Sequence, residues 1–310
     1  MKILITGDWH LTRQTPENRR DDFFQSQVEK VNWIFKQFHR HPCDIMLQPG
    51  DLFDSHKAPD YLKRFWINKM REYSTFGDQV PTVLFTVYGQ HDLRYHGADK
   101  DNTPLGVLDA AQSIIILNKE PIYFGDISFY GSSWGEDIPE IVDKNGTCNR
   151  HIWVCHRMVV DEKLWDSQVE YELANPLVRR TGFNLIVSGD NHKSFHVKDK
   201  DGKMRLINCG SLMRSKIDQK DHKPCIYIYD TETEKAEQFF IPVKPFEEVM
   251  DVAKAEKEKE KNMELETFIE SLKGDVEIEG VDFKRNLANH ISKNNVSSDI
   301  KNMINIMMGG

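Results

Sequence analysis

The stretch "ILITGDWH" (residues 3–10) decides both the fold and the position of the candidate site. Four β-type residues run directly into a glycine, an aspartate and, two positions later, a histidine. A continuous run of this kind predicts a strand buried on both faces, as in a parallel sheet covered by helices. The polar residues then lie just beyond the carboxyl end of the strand, where open α/β sheets bind their ligands.

The same arrangement recurs four times further along the chain. The stretches are "IMLQPGDLFD" (45–54), "FTVYGQHD" (85–92), "IWVCH" (152–156) and "LIVSGDNH" (185–192). One such motif is more often a capped turn, and one histidine is more often a core residue. Five of them at the same place relative to a strand predict a single metal centre. The candidate residues are Asp8, His10, Asp51, Asp54, Gln90, His91, Asp92, His156, Asp190 and His192.

Strands and helices alternate over the first ninety residues. Apolar runs predict strands at 2–6, 43–48 and 82–88, and helical spacing predicts helices at 23–38 and 61–73. Six further strand candidates between residues 113 and 230 are spaced more closely, which predicts a second, more antiparallel sheet packed on the first. The predicted fold class is α/β, a two-sheet sandwich flanked by helices with a short α-helical C-terminal appendage.

The composition changes near residue 245. The run "KAEKEKEK" (254–261) alternates in charge, and apolar residues at helical spacing follow it. The expected domains are therefore 1–244, which carries every candidate metal motif, and 245–310, a charged linker and helical segment that docks on a partner.

Net charge and cysteine usage limit the classes of function only weakly. The chain of 310 residues has a net charge of −8. The segment from residue 245 onward contains 14 acidic and nine basic residues, so it accounts for −5 of that charge. Two bound divalent cations would make the remainder slightly positive, so a nucleic-acid partner is not excluded. The sequence contains no run of about 18 apolar residues, so no membrane span is predicted. Five cysteines without a CxxC pair predict free thiols in a reducing cytoplasm.

The order of the motifs resembles that of the calcineurin-like metallophosphoesterases. "GDWH", "GDLFD", "GQHD", "CH" and "GDNH" follow one another as in that superfamily, and the resemblance covers residues 1 to about 215. Within the superfamily the chain is most similar to the SbcD-type nuclease subunit of double-strand-break repair complexes and its phage recombination counterparts. The marks are "GDLFDSHKAP" (50–59), "HDLRYHG" (91–97) and "NCGSLMR" (208–214). Two positions depart from the pattern: Gln90 replaces an asparagine, and Asp190 replaces the first histidine of GHxH.

This resemblance implies a two-metal hydrolytic centre. Two divalent ions about 3.5–4 Å apart would clamp a phosphodiester and activate a water molecule. An oxygen-rich ligand set favours Mn²⁺, with Mg²⁺ as the alternative. His91 would be the general acid, its tautomer fixed by Asp92 or Asp54. One ion would be held by Asp8, His10, Asp51 and His192, and the other by Asp51, Gln90, His156 and Asp190.

The resemblance also implies a function and partners. The leading hypothesis is a metal-dependent DNA exonuclease and endonuclease in the cytoplasm, or in the host cytoplasm if the chain is phage-encoded. It would work with an SMC-like ATPase bound through the C-terminal helices, and a homodimer is left open. One alternative is a phosphodiesterase or phosphatase for small molecules or nucleotides. Another is a non-catalytic scaffold in which the exchanges at Gln90 and Asp190 have abolished binding of the second metal ion.

Basic residues near the motifs have two interpretations. In a nuclease they would hold the phosphate backbone of the substrate, and otherwise they form an ordinary solvated face. The residues concerned are Arg13, Arg19, Arg20, Arg94, Lys193 and Arg214.

Overall fold

A computed structural model of the chain describes residues 1–74, 83–94, 100, 102–142, 146, 148–164, 168–254, 257 and 263. The chain divides into two compact units, Met1–Val249 and Met250–Gly310. All helices and strands given below lie in the first unit. The helices expected beyond residue 262 and most of the charged run 254–261 lie outside the described residues, so the docking segment stays a prediction.

The described part of the first unit contains fourteen strands and five α-helices. In chain order they are β1 (Lys2–Ile5), α1 (Phe23–Arg40), β2 (Ile45–Gln48), α2 (Asp60–Ser74), β3 (Val83–Thr86), α3 (Pro104–Ala110), β4 (Ile115–Ile116), β5 (Ile122–Phe124), β6 (Ile127–Ser132), β7 (Arg150–His156), β8 (Val159–Val160), β9 (Glu172–Leu173), α4 (Ala174–Thr181), β10 (Leu185–Gly189), β11 (Phe195–Lys198), β12 (Arg205–Asn208), β13 (Cys225–Asp230), β14 (Lys235–Phe240) and α5 (Phe246–Val249).

The first sheet has the strand order β14-β13-β1-β2-β3-β4. Strands β1 to β4 are parallel, as the alternation of strands and helices predicts. Strand β13 was expected in the second sheet, but it pairs antiparallel with β1 of the first. The reason is that β13 and β14 form a hairpin, and a hairpin can extend the open edge of β1 without a crossover.

The second sheet has the order β11-β12-β10-β7-β6-β5. The expectation that it is more antiparallel than the first sheet is wrong, because each sheet has three parallel and two antiparallel strand pairings. Its four central strands are parallel, and only β5 and β11 at the edges are antiparallel. Close spacing in the sequence suggested hairpins. Instead, the chain returns between β6 and β7 through a long connection, and between β7 and β10 through α4, so each strand restarts in the same direction.

Two sheets with helices on their outer faces give three hydrophobic layers. In β1, Ile3 and Ile5 face the second sheet, where they pack with residues such as Val154 and Val187. Leu4 points the other way, into the layer beneath α1 and α2. This alternation follows from the two-residue period of a strand, and it fixes the register of β1. A third layer joins α4 to the outer face of the second sheet.

Two further findings concern the environment of the chain. None of the helices in the described ranges is long and apolar enough to cross a membrane. All five cysteines are free thiols, and four of them are buried. The α/β sandwich flanked by helices is therefore the fold that the sequence predicted, with the strand directions of the second sheet corrected.

Candidate metal centre

The carboxyl ends of five strands from both sheets converge at one place. Hydrogen bonds join them directly: the Asp190 amide donates to Asp8 Oδ2 at 2.9 Å, and the His91 amide donates to Asp51 Oδ1 at 2.9 Å. Asp8 follows β1, whereas Asp190 follows β10 of the other sheet. The carboxyl ends of strands from both sheets therefore contribute to a single site, as the recurrence of the motifs predicts.

The first group of candidate ligands consists of Asp8, His10 and His192. Their ligand atoms lie within 4.8 Å of one another. The Nε2 atoms of His10 and His192 are 3.1 Å apart, and His192 Nε2 lies 3.7 Å from Asp8 Oδ2. Two imidazole nitrogens and one carboxylate oxygen converge on one point. Such a ligand set suits a divalent transition metal.

The second group consists of Asp8, Asp51 and His156, all of them buried. The Nδ1 atom of His156 lies 2.8 Å from the carbonyl oxygen of Pro49. Because a carbonyl only accepts hydrogen bonds, Nδ1 carries a proton, and a neutral His156 presents the lone pair of Nε2. That atom lies 3.3 Å from Asp51 Oδ2. Metal-ligating histidines are commonly held in this way by a bond from the other ring nitrogen.

The third group consists of His10, Asp51 and His91. His91 is exposed, and its Nδ1 donates to the carbonyl oxygen of Asp54 at 2.9 Å. The Asp54 carboxylate faces His10 instead, with Oδ1 3.5 Å from Nδ1. Asp54 thus contacts both histidines, one through its backbone and one through its side chain. The sequence anticipated an orienting role for Asp54 but not the use of its carbonyl.

Asp92 does not orient His91, contrary to the sequence-based expectation. Its carboxylate is buried and accepts backbone N–H groups from Leu52, Phe53 and Gly89 at 3.0 to 3.3 Å. It therefore clamps the loop after β2 to the loop after β3. Burial, followed by the charge of Asp51, raises the pKa of Asp92 to about 7 against the opposing effect of these hydrogen bonds. The role that the structure gives Asp92 is to position the backbone that carries Asp51.

Gln90 and Asp190, the two departures from the family pattern, contact each other. Gln90 Nε2 donates to Asp190 Oδ1 at 3.5 Å. The three groups of carboxylates and imidazoles above do not include Asp190. The longer amide side chain at 90 reaches the shorter carboxylate at 190, so the two exchanges compensate in length.

The residues present fit a divalent cation. Asp8 Oδ1 and His156 Nε2 are buried without a hydrogen-bond partner among the described residues. Burial raises the pKa of Asp8 to about 7, although the attraction of His156 opposes it. Burial also disfavours the imidazolium of His156, but Asp51 and Asp8 outweigh it and raise its pKa to about 10. Two buried carboxylates that hold a proton on a neighbouring histidine form a site that a cation would neutralise.

The ligand positions are conformationally unusual. Three candidate ligands have left-handed backbone conformations: His10 with φ of 46°, Asp51 with φ of 50° and Asp190 with φ of 74°. Such conformations are uncommon for residues other than glycine and concentrate at functional sites. Gly89 lies against Asp51, and a Cβ atom on it would overlap both the Asp51 carboxylate and the Asp51 amide. The loops are therefore shaped to bring backbone close to the ligands.

Some supporting residues were not found from the sequence. Gln48, the last residue of β2, is buried and bonds to backbone groups of both Gly7 and Gly50, which tie the first two motifs together. Its place directly before "PGD" was the available signal, since a buried amide at a strand end needs partners. The Pro49 carbonyl that orients His156 could not be found, because every residue has a carbonyl.

Comparison with known proteins identifies a family. The family model described as calcineurin-like phosphoesterase matches residues 1–194. Two curated relatives, the SbcD component of the nuclease SbcCD from Escherichia coli K12 and its counterpart from E. coli O157:H7, are each 28% identical over 96 residues. The match covers 30% of this chain and 21% of each relative, so it spans about a fifth of their length. A dimetal phosphatase from Danio rerio superposes with a TM-score of 0.48 at 11% identity, covering 79% of this chain and 99% of that one.

The contact between Gly89 and Asp51 predicts that Gly89→Ala impairs metal binding. The added Cβ displaces the Asp51 carboxylate from two of the ligand groups, so the affinity for Mn²⁺ should fall by about tenfold or more. Titration of the metal-free protein with Mn²⁺ measures this. Gly125→Ala is the control, because a Cβ at Gly125 meets nothing within 4 Å. The φ of 61° at Gly125 strains an alanine, so this variant also shows what backbone strain alone does to the Mn²⁺ affinity. Equal Mn²⁺ affinity in Gly89→Ala and the control would contradict the placement of Asp51.

The contact between Gln90 and Asp190 predicts that their substitutions are coupled. Gln90→Asn shortens the side chain, so its amide no longer reaches Asp190. Asp190→His places an imidazole ring against the longer glutamine. Each single variant should therefore bind Mn²⁺ less tightly. The double variant restores the family's residue pair and should recover most of the loss, a coupling of about 1 kcal/mol. Mn²⁺ titration of the four proteins completes the cycle. Additive effects would show that the two positions act independently.

Proposed function

The chain belongs to the calcineurin-like phosphoesterase family, and we propose that it is a nuclease that hydrolyses the phosphodiester bonds of DNA, as both exonuclease and endonuclease. Family membership makes it a metal-dependent phosphoester hydrolase. DNA as the substrate, Mn²⁺ as the preferred metal and two metal ions as the working centre belong to the proposal. The curated relatives support it through their printed name, which describes part of a nuclease.

The observation that carries the proposal is a basic cavity beside the metal centre. The cavity has a volume of about 650 Å³, and His192 of the first ligand group forms part of its lining. Lys193, Lys216 and Lys223 line it as well, all of them exposed, together with two aspartates. A small phosphomonoester needs no space of this size, whereas a nucleotide of a longer strand does. Lysines beside the scissile position would hold the flanking phosphates.

Cations and aromatic rings also lie on the segments that follow the first three motifs. The Arg13 guanidinium lies 4.5 Å from the ring centre of Phe24 and 5.5 Å from that of Tyr61. Tyr61 is half exposed. Burial, followed by the charges of Lys57 and Arg94, lowers the pKa of His56, so these two cations lie close to that side chain. Aromatic surface next to positive charge is the usual platform for single-stranded nucleic acid.

The chain's own residues suggest how the reaction proceeds. Bound divalent ions would supply charge neutralisation for the phosphodiester and a water of lowered pKa. They would be held by Asp8, His10 and His192 on one side, and by Asp8, Asp51 and His156 on the other. His91 keeps its Nδ1 proton on the Asp54 carbonyl, so it exchanges protons with substrate only at Nε2. In the imidazolium form, Nε2 gives its proton to the leaving oxygen of the scissile bond.

The proposal extends to the partner. By the resemblance noted above, the segment 245–310 would dock on an SMC-like ATPase, and the printed name of the curated relatives likewise describes one component of a larger nuclease. Most of that segment lies outside the described residues. The partner is thus inferred from sequence resemblance alone.

The substrate class can be tested with two substrates on the purified full chain. With Mn²⁺ present, we expect cleavage of single-stranded DNA and of bis-p-nitrophenyl phosphate, and no cleavage of either by Asp51→Ala, which loses a ligand shared by two groups. Hydrolysis of the small ester without DNA cleavage would favour a small-molecule phosphodiesterase. Folded protein that cleaves neither would favour the scaffold hypothesis.

The role of His91 can be tested with two variants. His91→Ala should lower the rate of DNA cleavage by about 10²- to 10⁴-fold, the usual contribution of a general acid. His91→Asn keeps a donor for the Asp54 carbonyl but lacks Nε2, so it should be equally impaired. Mn²⁺ titration of both should show unchanged stoichiometry. Near-normal cleavage by His91→Asn would reduce His91 to a structural role, and a lost metal ion would make it a ligand.

A further inference from the structure

A second, smaller cavity lies away from the metal centre, beside α1. It has a volume of about 140 Å³ and contains none of the candidate metal ligands. Residues of α1, the loop ending at Arg214 and the segment 241–249 form its walls. Four cations line it, Arg19, Lys30, Arg214 and Lys244, against one carboxylate, Glu29, which is exposed.

Arg19 and Arg214 fit neither interpretation suggested by the sequence. Both side chains are buried, so they neither form a solvated face nor offer an open surface along which a nucleic-acid strand could lie. Arg19 bonds to both carboxylate oxygens of Asp21 at 2.7 Å and to the carbonyl oxygen of Arg214 at 2.7 Å. Arg214 donates to the carbonyl oxygen of Lys244. Their positive charges therefore face inward, at the wall of the cavity.

Lys30 is the third buried cation, and its charge is the least compensated. Its ammonium has three donor hydrogens, and the described residues provide one hydrogen bond, to the carbonyl oxygen of Leu212 at 2.8 Å. Burial, followed by the charges of Arg19 and Arg214, lowers the pKa of Lys30 to about 7 against the attraction of Asp21. Asp21 is already engaged, since it accepts two bonds from Arg19 and one from Ser26.

This excess of buried positive charge has a direct chemical meaning. A buried charge is costly unless an opposite charge or several hydrogen bonds accompany it. Here three buried cations share one half-buried carboxylate, Asp21, next to a cavity of about 140 Å³. The other carboxylates that oppose them, Glu29 at the cavity and Glu247 near Arg214, are exposed. Since one water molecule occupies about 30 Å³ in the liquid, the cavity has room for a tetrahedral oxyanion with its donors around it. Arginine and lysine together are the usual ligands of phosphate.

We propose that the pocket formed by Arg19, Lys30 and Arg214 binds an oxyanion of the phosphate class. The source of the anion is either a free inorganic phosphate or the terminal phosphate of a nucleic-acid strand. This inference does not rest on the proposed nuclease function, because the pocket shares no residue with the metal centre.

Binding of inorganic phosphate to the full chain tests the proposal. The protein is kept in a chelator, so that the metal centre holds no ions and cannot bind phosphate, and ionic strength is held constant with chloride. Calorimetric titration should show saturable binding of one phosphate per chain. Lys30→Met should weaken it by about tenfold or more, since it removes a charged donor. Lys36→Met, which removes the same charge from an exposed position of α1, should leave the affinity unchanged.

A second variant keeps the test decisive if Lys30→Met fails to fold. Glu29 is exposed, so Glu29→Gln should fold normally, and the loss of the carboxylate at the cavity should tighten phosphate binding by about twofold. No saturable binding at millimolar phosphate, or equal affinity in wild type, Lys30→Met and Glu29→Gln, would overturn the proposal. Competition by a 5′-phosphorylated oligonucleotide, but not by its unphosphorylated form, identifies a strand end as the source. Competition by neither identifies free phosphate.

Discussion

Two buried carboxylates at the meeting point of two sheets determine the rest of this structure. Asp8 lies in the loop after β1 and Asp51 in the loop after β2, and both are almost fully removed from water. Neither can be ionised there at low cost unless positive charge or donated hydrogen bonds compensate it. The loop conformations supply the donors: the Asp190 amide for Asp8 and the His91 amide for Asp51. The imidazoles of His10, His156 and His192 supply the remaining partners. The left-handed backbone at His10, Asp51 and Asp190 is a consequence of bringing these groups together.

Much of this arrangement could be predicted from the sequence, because it depends on local pattern. A buried parallel strand reads as a continuous apolar run, and the glycine that follows marks where backbone must turn sharply. That is why "ILITGDWH" and its four counterparts indicated β1, β2, β3, β7 and β10 and the residues beyond them. The directions of the strands in the second sheet were not predictable in the same way. They depend on long connections, and a connection of irregular length carries no periodic signal.

The details of the site were predicted less completely than its composition. Asp92 stands directly beside His91 in the sequence and was, with Asp54, one of the two residues expected to orient it. Neighbours along an extended or turning backbone, however, point in different directions. The Asp92 side chain instead turns into the protein and fastens the backbone of residues 52, 53 and 89. The Asp54 carbonyl takes the expected role at His91. Backbone carbonyls have no identity in a sequence, so contacts that use them become visible only when the fold brings the segments together.

The segment "NCGSLMR" (208–214) shows how one short stretch serves two sites. Its Gly210 adopts a left-handed conformation with φ of 71°, and the Gly210 carbonyl accepts the Asp8 amide at 3.2 Å. Two residues later, the Leu212 amide donates to the Asp8 carbonyl at 2.8 Å, while the Leu212 carbonyl accepts from Lys30 at 2.8 Å. Leu212 is thus bonded on one side to the backbone of Asp8, a candidate metal ligand, and on the other side to Lys30 of the pocket formed by Arg19, Lys30 and Arg214. Leu212 therefore connects the backbone of Asp8 to the side chain of Lys30 through two hydrogen bonds. The position of the pocket beside this end of the first sheet, and not elsewhere along α1, follows from that shared segment.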